Sequence, residues 1–156
     1  MTVNENGSWQ NIRTQIKQWA NTQSLWMVHF NGGSCAGCDL EVTALQSPRY
    51  KSKMEHYGLR LGSNPCHANV LLCTGVVTRQ SEPALGEIYK EMGSDTQVVA
   101  VGTCAIACNL FKDCYNVVAQ VNEVLLVDLY IPGCPPRPQA IIAGVQKLQA
   151  SFILDF

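Results

Sequence analysis

Short apolar runs recur along the chain, and each run ends at a glycine or at a turn rich in glycine and proline. Continuous apolar runs of this kind are typical of strands that are buried on both faces of a sheet. Helical patterns lie between them, and this alternation predicts an α/β fold, flavodoxin-like, with a parallel sheet and helices on both faces. The predicted strands are 25–30, 69–75, 97–102 and 125–131, and the predicted helices are 40–46, 81–92 and 138–150.

The N-terminal segment has a helical pattern of its own. Within residues 8–21, two tryptophans and two isoleucines recur at helical spacing, and polar residues fill the other face. We therefore divide the chain into an amphipathic helical segment, 1–22, and a single α/β domain, 23–156. Packing of that helix on its own domain and docking on a partner or a membrane surface are both open, because periodicity does not name the covering surface. Residues 48–65 are expected to be irregular.

The composition limits the kinds of function that the chain can have. Its 156 residues suffice for one domain, and a formal net charge of −1 gives no basis for nucleic-acid binding. Only 15% of the residues are charged, against about 25% in ordinary soluble domains, so we expect partners to cover part of the surface. No apolar run reaches the length of a membrane span, and the first residues lack the features of a signal peptide. We therefore expect an intracellular protein.

Four of the eight cysteines lie in stiff, small-residue loops that directly follow predicted strands. These are Cys35 and Cys38 after the first strand, Cys104 after the third and Cys134 after the fourth. Because the carboxyl ends of parallel strands meet at one edge of a sheet, we expect the four thiols to converge there. Cysteines in an intracellular chain bind metal or remain reduced, so this edge is a candidate metal or iron–sulfur site.

The spacing of these cysteines distinguishes between kinds of site. Structural zinc sites usually combine two pairs of ligands that are close in sequence, whereas here only Cys35 and Cys38 are close. One close pair and two single cysteines favour a [4Fe–4S] cluster held by four thiolates, and hence electron transfer. A zinc site and a thiol–disulfide pair at Cys35 and Cys38 are the alternatives, and the second leaves Cys104 and Cys134 without a role. The remaining cysteines are interpreted as small apolar residues or free thiols: Cys66, Cys73, Cys108 and Cys114.

Three motifs together resemble a known family. They are Gly-Ser-Cys-Ala-Gly-Cys-Asp-Leu-Glu (33–41), Gly-Thr-Cys-Ala (102–105) and Tyr-Ile-Pro-Gly-Cys-Pro-Pro-Arg-Pro (130–138). The pattern resembles the small subunit of energy-converting, membrane-bound [NiFe] hydrogenases (group 4, Ech-type), which is homologous to the 20 kDa subunit of respiratory complex I. The Cys-x-x-Cys-Asp form is typical of the hydrogenase branch, since the complex I subunit has two adjacent cysteines there.

The resemblance implies a function for the site. The four cysteines would bind one [4Fe–4S] cluster, which passes electrons between a ferredoxin-type iron–sulfur subunit and the [NiFe] centre of a hydrogenase large subunit, where 2H⁺ + 2e⁻ ⇌ H₂ occurs. Integral membrane antiporter-like subunits would complete a complex in which this chain is peripheral, on the cytoplasmic side of the membrane. Glu41 would assist proton movement or support the cluster loop, and Arg137 would lie beside the fourth ligand. The hydrogen chemistry itself would belong to the large subunit.

One departure from the family pattern and two other functions stay open. After Cys104 the family continues Ala-x-x-Gly-Gly, whereas this chain has Cys108 and Asn109 in place of the two glycines. The usual backbone path is therefore in question there, and Cys108 is a competing ligand candidate. A complex-I-like (quinone) or sulfur-reductase-like subunit would use the same cluster with different partners. A zinc-stabilised interaction domain is the alternative from another functional class.

Overall fold

A parallel sheet forms the centre of the molecule. The computed structural model describes residues 24–33, 35–93 and 95–154, with side chains described as far as Ala150. The strands of this part of the chain are β1 (Leu25–Asn31), β2 (Leu59–Gly62), β3 (Val70–Thr74), β4 (Val77–Thr78), β5 (Gln97–Val101), β6 (Val117–Ala119) and β7 (Leu129–Ile131).

The strand order confirms the predicted fold class. The main sheet runs β2-β1-β3-β5-β7 with every pairing parallel, while β4 and β6 form a separate antiparallel pair. Numbered within the main sheet, this is the order 2-1-3-4-5 of flavodoxin-like doubly wound folds. Strand order reverses between β1 and β3, and in such folds ligands bind beyond the carboxyl ends of the strands at this point.

Helices cover both faces of the sheet. They are α1 (Gly37–Ala44), α2 (Pro48–His56), α3 (Ser81–Met92), α4 (Thr103–Ala107), α5 (Val121–Val124) and α6 (Pro138–Leu154). Leu72 and Val99 lie in the core cluster that includes residues of α1, α2 and α6. Their neighbours Leu71 and Val98 lie in the opposite cluster, which includes residues of α3 and α5. Alternate residues of β3 and β5 therefore fill two cores, which explains why these strands are apolar throughout.

Two predictions about the elements are wrong. Residues 48–65 are not irregular, because α2 and the edge strand β2 lie within them. Pro48 starts α2, and Met54 is the residue of this charged helix that becomes buried, so its apolar pattern is weak. The predicted strand 125–131 shrinks to β7, because the Asp128 side chain accepts a hydrogen bond from the backbone of Val98 (2.8 Å) ahead of the first pairing.

The remaining elements differ less from the predictions. Helix α3 has the predicted bounds, α6 extends beyond residue 150, and α1 begins at Gly37 rather than at residue 40. The earlier start of α1 places Cys38 inside the helix. The predicted helix at 8–21 lies outside the described residues. Across the described part of the chain, every helix is too short or too polar to span a membrane.

Candidate functional site

The four cysteines singled out in the sequence come together at the carboxyl edge of the sheet. Cys35 follows β1, Cys38 lies in the first turn of α1, Cys104 lies in the first turn of α4 shortly after β5, and Cys134 follows β7. Cys38 interacts electrostatically with each of the other three. Cys38 and Cys104 are buried, whereas Cys35 and Cys134 are exposed, so the site opens to the surface on one side.

Backbone hydrogen bonds join the loops that carry Cys104 and Cys134. The Gly102 N–H donates to the Ile131 carbonyl (2.8 Å). The Thr103 N–H and hydroxyl both donate to the Gly133 carbonyl, at 2.9 and 3.0 Å. These three bonds extend the pairing of β5 with β7 past the ends of both strands, and they fix the two cysteine loops relative to each other.

Close approach at the centre of the site requires glycine at position 102. Gly102 has a φ of 91°, and a Cβ atom there would lie 2.5 Å from the Cys38 sulfur. A side chain at this position would therefore be strained and would also collide with a candidate ligand. The loop that carries Cys35 also meets the loop that carries Cys134. A Cβ on Gly37 would lie 3.6 Å from the Cys35 sulfur and 3.8 Å from Pro135.

The first cysteine loop is attached to the segment that leaves β3. The Gly32 N–H donates to the Thr74 carbonyl (2.8 Å), and the Val76 N–H donates to the Gly33 carbonyl (3.1 Å). A Cβ on Gly32 would lie 2.5 Å from the Val76 carbonyl oxygen. Gly32 and Gly33 are therefore held closely against the backbone of residues 74–76.

The electrostatics of the cysteines favour binding of a cationic group. Burial raises the pKa of Cys38 to about 11, and the charges of Cys104, Cys35, Asp39 and Cys134 add to the effect. Burial likewise raises the pKa of Cys104, followed by the charges of Cys134, Cys35 and Cys108. Clustered thiols of this kind ionise together only when a cation compensates them, and metal binding then displaces their protons.

A group of hydrogen-bonded side chains lies next to Cys38, and sequence reasoning missed its connection to the site. The Asp39 carboxylate accepts a hydrogen bond from the Thr74 hydroxyl (2.5 Å), is joined to His29 Nε2 (3.1 Å), and also accepts one from the Asn31 side chain. From the sequence, Asp39 is interpreted only as an acidic residue at a helix start. The missing signal is spatial, because Thr74 is 35 residues away in the chain.

Glu41 and Arg137, the two residues expected to support the site, differ in burial. Glu41 lies on α1 one turn after Cys38, so both project from one side of the helix, and it is half-buried. Arg137 is exposed, and its carbonyl accepts the first hydrogen bonds of α6, from Ala140 and Ile141. A cation there gains nothing from the positive end of the helix dipole.

The other cysteines fall into two environments. Cys66 and Cys114 are exposed, whereas Cys73 is buried in β3, where burial raises its pKa to about 12. Cys108 is also buried, and burial raises its pKa, with Glu123 adding to the effect and Lys112 opposing it. Cys108 therefore lies near Glu123 of α5 and Lys112, and it also packs with Cys104 in one core cluster.

The backbone after Cys104 keeps its turn without the expected glycines. Cys108 has a φ of 55° and Asn109 a φ of 42°, so both residues adopt the left-handed conformation that glycine adopts readily. Asparagine tolerates this conformation better than most residues, whereas cysteine has no such preference. This chain therefore makes a left-handed turn at both positions, with local strain at Cys108.

Comparisons with known proteins give relatives in three kinds of complex. A probable membrane-bound hydrogenase subunit (mbhJ) of Pyrococcus furiosus is 40% identical over 79% of this chain and 72% of its own length. An NADH-quinone oxidoreductase subunit of Carboxydothermus hydrogenoformans is 38% identical over 86% of this chain and 78% of its own length. A chain of an archaeal membrane-bound sulfane sulfur reductase superposes with a TM-score of 0.74 at 32% identity, covering 88% of this chain and 75% of that one.

A family model gives the same assignment. The model described as NADH ubiquinone oxidoreductase, 20 kDa subunit, matches residues 35–148. The match therefore begins at the first of the four clustered cysteines and includes the other three. The chain belongs to the family of the NADH ubiquinone oxidoreductase 20 kDa subunit.

Proposed function

We propose that this chain is the electron-transferring subunit of a membrane-bound oxidoreductase complex, and that Cys35, Cys38, Cys104 and Cys134 hold one [4Fe–4S] cluster. The observation that carries this proposal is the convergence of the four thiols at the carboxyl edge of the sheet. Cys35 and Cys134 are exposed, and Cys38 and Cys104 are buried. The site therefore combines an open side, for electron exchange with partners, with a side that excludes water.

The donor set fits a cluster better than a single zinc ion. Among the residues that the structure describes, no three His, Cys, Asp or Glu side chains are arranged to hold one metal ion. Four ligands of one tetrahedral ion must converge on a point, whereas a [4Fe–4S] cluster takes its thiolates at separate iron atoms. Gly37 and Gly102 bring backbone close to the Cys35 and Cys38 sulfurs, and backbone N–H groups near cluster sulfurs tune the potential.

The residues of this chain hold the cluster and control its surroundings, and the bound cluster supplies a one-electron carrier. Gly102 gives Cys38 its space, while Thr103 fixes the Cys104 loop to the Cys134 loop. Arg137 supplies a positive charge near Cys134 that favours the reduced cluster. Glu41, one helical turn from Cys38, supports the cluster loop or relays a proton towards a partner.

The partner reaction that we favour is that of an energy-converting [NiFe] hydrogenase. In this role the cluster passes electrons between a ferredoxin-type iron–sulfur subunit and the [NiFe] centre of the large subunit, which interconverts protons and H₂. Integral membrane antiporter-like subunits couple this reaction to ion movement, with the present chain on the cytoplasmic side. The Pyrococcus relative named as a hydrogenase subunit and the Cys-x-x-Cys-Asp motif support this choice.

Two related functions are supported by other relatives. The quinone oxidoreductase relative supports a complex-I-like role, and the sulfane sulfur reductase chain supports a sulfur-reducing role. Each would use the same cluster, so the difference lies in the large subunit. Metal analysis of the complex purified through this chain separates them. Nickel in a co-purifying large subunit is the expected result, and iron without nickel would favour one of the other two roles.

The ligand assignment is tested with single Cys→Ser variants of the full chain. We expect Cys35→Ser, Cys38→Ser, Cys104→Ser and Cys134→Ser each to lose or convert the reduced-cluster EPR signal and to lower the iron content. Cys66→Ser and Cys114→Ser are the matched controls, because both thiols are exposed and stand apart from the group of four in the sequence. An intact cluster spectrum in Cys134→Ser would refute the assignment.

A further inference from the structure

We propose that Asp39 is a positioning residue whose carboxylate fixes Cys38 against the sheet and, as a fixed negative charge, lowers the reduction potential of the cluster. This inference rests on the proposed function, since it concerns the cluster that Cys38 helps to hold. It involves residues on three elements: Asp39 on α1, His29 and Asn31 on β1, and Thr74 on β3. We call these four residues the Asp39 network.

The sheet places the partners of Asp39 on one face. Asn31 and Thr74 are register partners at the carboxyl ends of β1 and β3, and His29 precedes Asn31 by two residues. Residues two apart on a strand project from the same face, so His29 and Asn31 point towards the same side. Asp39 in the first turn of α1 meets these side chains, and its bonds therefore tie the turn that carries Cys38 to two adjacent strands.

The hydrogen-bond distances define the direction of the bonds. The Thr74 hydroxyl has one proton, and Asp39 Oδ1 (2.5 Å) is a nearer acceptor for it than the Phe30 carbonyl (3.3 Å). His29 Nε2 lies 2.9 Å from the same hydroxyl oxygen and 3.1 Å from Asp39 Oδ1, so the imidazole must donate its Nε2 proton. Asn31 donates to Oδ2. Asp39 thus accepts from three donors, the pattern that suits an ionised carboxylate, which can only accept.

The three donors of the Asp39 network bring no positive charge to the carboxylate. Thr74 is 1% exposed, and the side chains of His29 and Asp39 are 23% and 17% exposed. Burial lowers the pKa of His29, and the charge and hydrogen bond of Asp39 only partly oppose this effect. The imidazole is therefore neutral near neutral pH and donates a hydrogen bond without adding a positive charge.

The charge of Asp39 reaches the adjacent ligand. Asp39 directly follows Cys38 in the first turn of α1, so its negative charge lies close to this ligand and disfavours further negative charge at the sulfur. Reduction adds an electron to a centre that is already anionic, so a nearby carboxylate disfavours the reduced state. Neutralising Asp39 should therefore raise the potential of the cluster.

The test is an EPR-monitored redox titration of the complex, with the signal of this cluster identified by its loss in Cys134→Ser. We expect Asp39→Asn to keep iron bound and to shift the midpoint potential upward, because asparagine preserves the size but removes the charge. Asp39→Glu, which retains the charge on a longer side chain, should hold the potential near that of the wild type while lowering iron occupancy. Glu87→Gln, which neutralises an exposed residue of α3, should leave both unchanged.

A second variant keeps the inference testable if Asp39→Asn fails to fold. Thr74→Val removes one of the three donors that hold Asp39 and preserves the side-chain size, so the turn that carries Cys38 should be held less firmly and iron occupancy should fall. A wild-type chain with no reducible cluster would overturn the proposed function itself. A normal wild-type cluster, together with an Asp39→Asn potential equal to that of Glu87→Gln or an iron occupancy in Thr74→Val equal to that of the wild type, would overturn only the inference about Asp39.

Discussion

At the scale of single residues, the turn after Cys104 places two consecutive non-glycine residues in the left-handed conformation. Cys108 and Asn109 stand where the family pattern has two glycines, and both retain positive φ values. Cys108 is also buried, so its side chain fills space that a glycine would leave empty. Burial of the thiol therefore offsets part of the strain.

This strain is measurable with two substitutions at one position. Cys108→Ala and Cys108→Gly both remove the thiol, but only glycine adopts a φ of 55° without backbone strain. We expect the glycine variant to have a free energy of unfolding about 1–2 kcal/mol higher than the alanine variant, from denaturant titrations of the full chain. Equal stability of the two variants would mean that position 108 is not strained. Retention of the cluster signal in both would agree with the assignment of Cys104 rather than Cys108 as a ligand.

The residues of the site differ in how far the sequence reveals them. Cys35, Cys38, Cys104 and Cys134 are predictable because each follows an apolar strand, and the strand order then brings their loops to one edge. The roles of Thr74 and His29 are not predictable from the sequence, which indicates only that both lie in strands. The strand register, which pairs Thr74 with Asn31, is needed to show that they meet. Polar contacts between distant strands depend on register, which an apolar run does not specify.

At the scale of elements, two glycines with nearly the same φ have different surroundings, and only one of them lies at the site. Gly93, at the end of α3, has a φ of 93° and no atom near its would-be Cβ. Gly102 has almost the same φ of 91°, but its would-be Cβ lies 2.5 Å from the Cys38 sulfur. The pair therefore separates the cost of backbone conformation from the cost of crowding the site.

Gly102→Ala and Gly93→Ala form the matched test of this difference. Both should lose about 1–2 kcal/mol of stability from the strained backbone. Gly102→Ala should lose about 1–3 kcal/mol more, because Cys38 must move, and should also contain less iron per chain. Iron analysis and denaturant titration of the two variants check this result. Equal iron content in both would show that the Cys38 sulfur does not depend on the space at Gly102.

The elements that sequence analysis missed have little apolar signal of their own. Strand β2 is four residues long and pairs with β1 at one edge of the sheet, and α2 is mostly polar. Tertiary packing rather than a local pattern defines both elements, through the buried residues Leu59 and Met54. By contrast, β3 and β5 are apolar throughout because helices cover both of their faces.

At the scale of the whole molecule, exposed apolar residues indicate which edge a partner covers. Leu40 on α1 is 71% exposed, and Leu110 in the segment after α4 is 87% exposed. Both follow candidate ligands closely in sequence. Leu126 is 82% exposed but lies in the connection that leads into the amino end of β7, at the opposite edge of the sheet.

These residues provide a test of how the chain docks. We expect Leu40→Glu and Leu110→Glu to abolish co-purification of the large subunit, because each would bury an unpaired charge in the interface. Both variants should keep the cluster signal, since neither side chain is part of the site. Leu126→Glu is the control and should co-purify the large subunit as the wild type does. Loss of the large subunit in Leu126→Glu alone would place the interface at the other edge.

The central claim is that this chain holds one [4Fe–4S] cluster for electron transfer, and the most direct test is iron and sulfide analysis with Mössbauer spectroscopy. The full chain would be purified without oxygen and analysed as isolated and after reduction. We expect about four iron and four sulfide per chain and spectra of a cubane cluster. Stoichiometric zinc without iron, or iron that persists after all four cysteines are replaced, would contradict it.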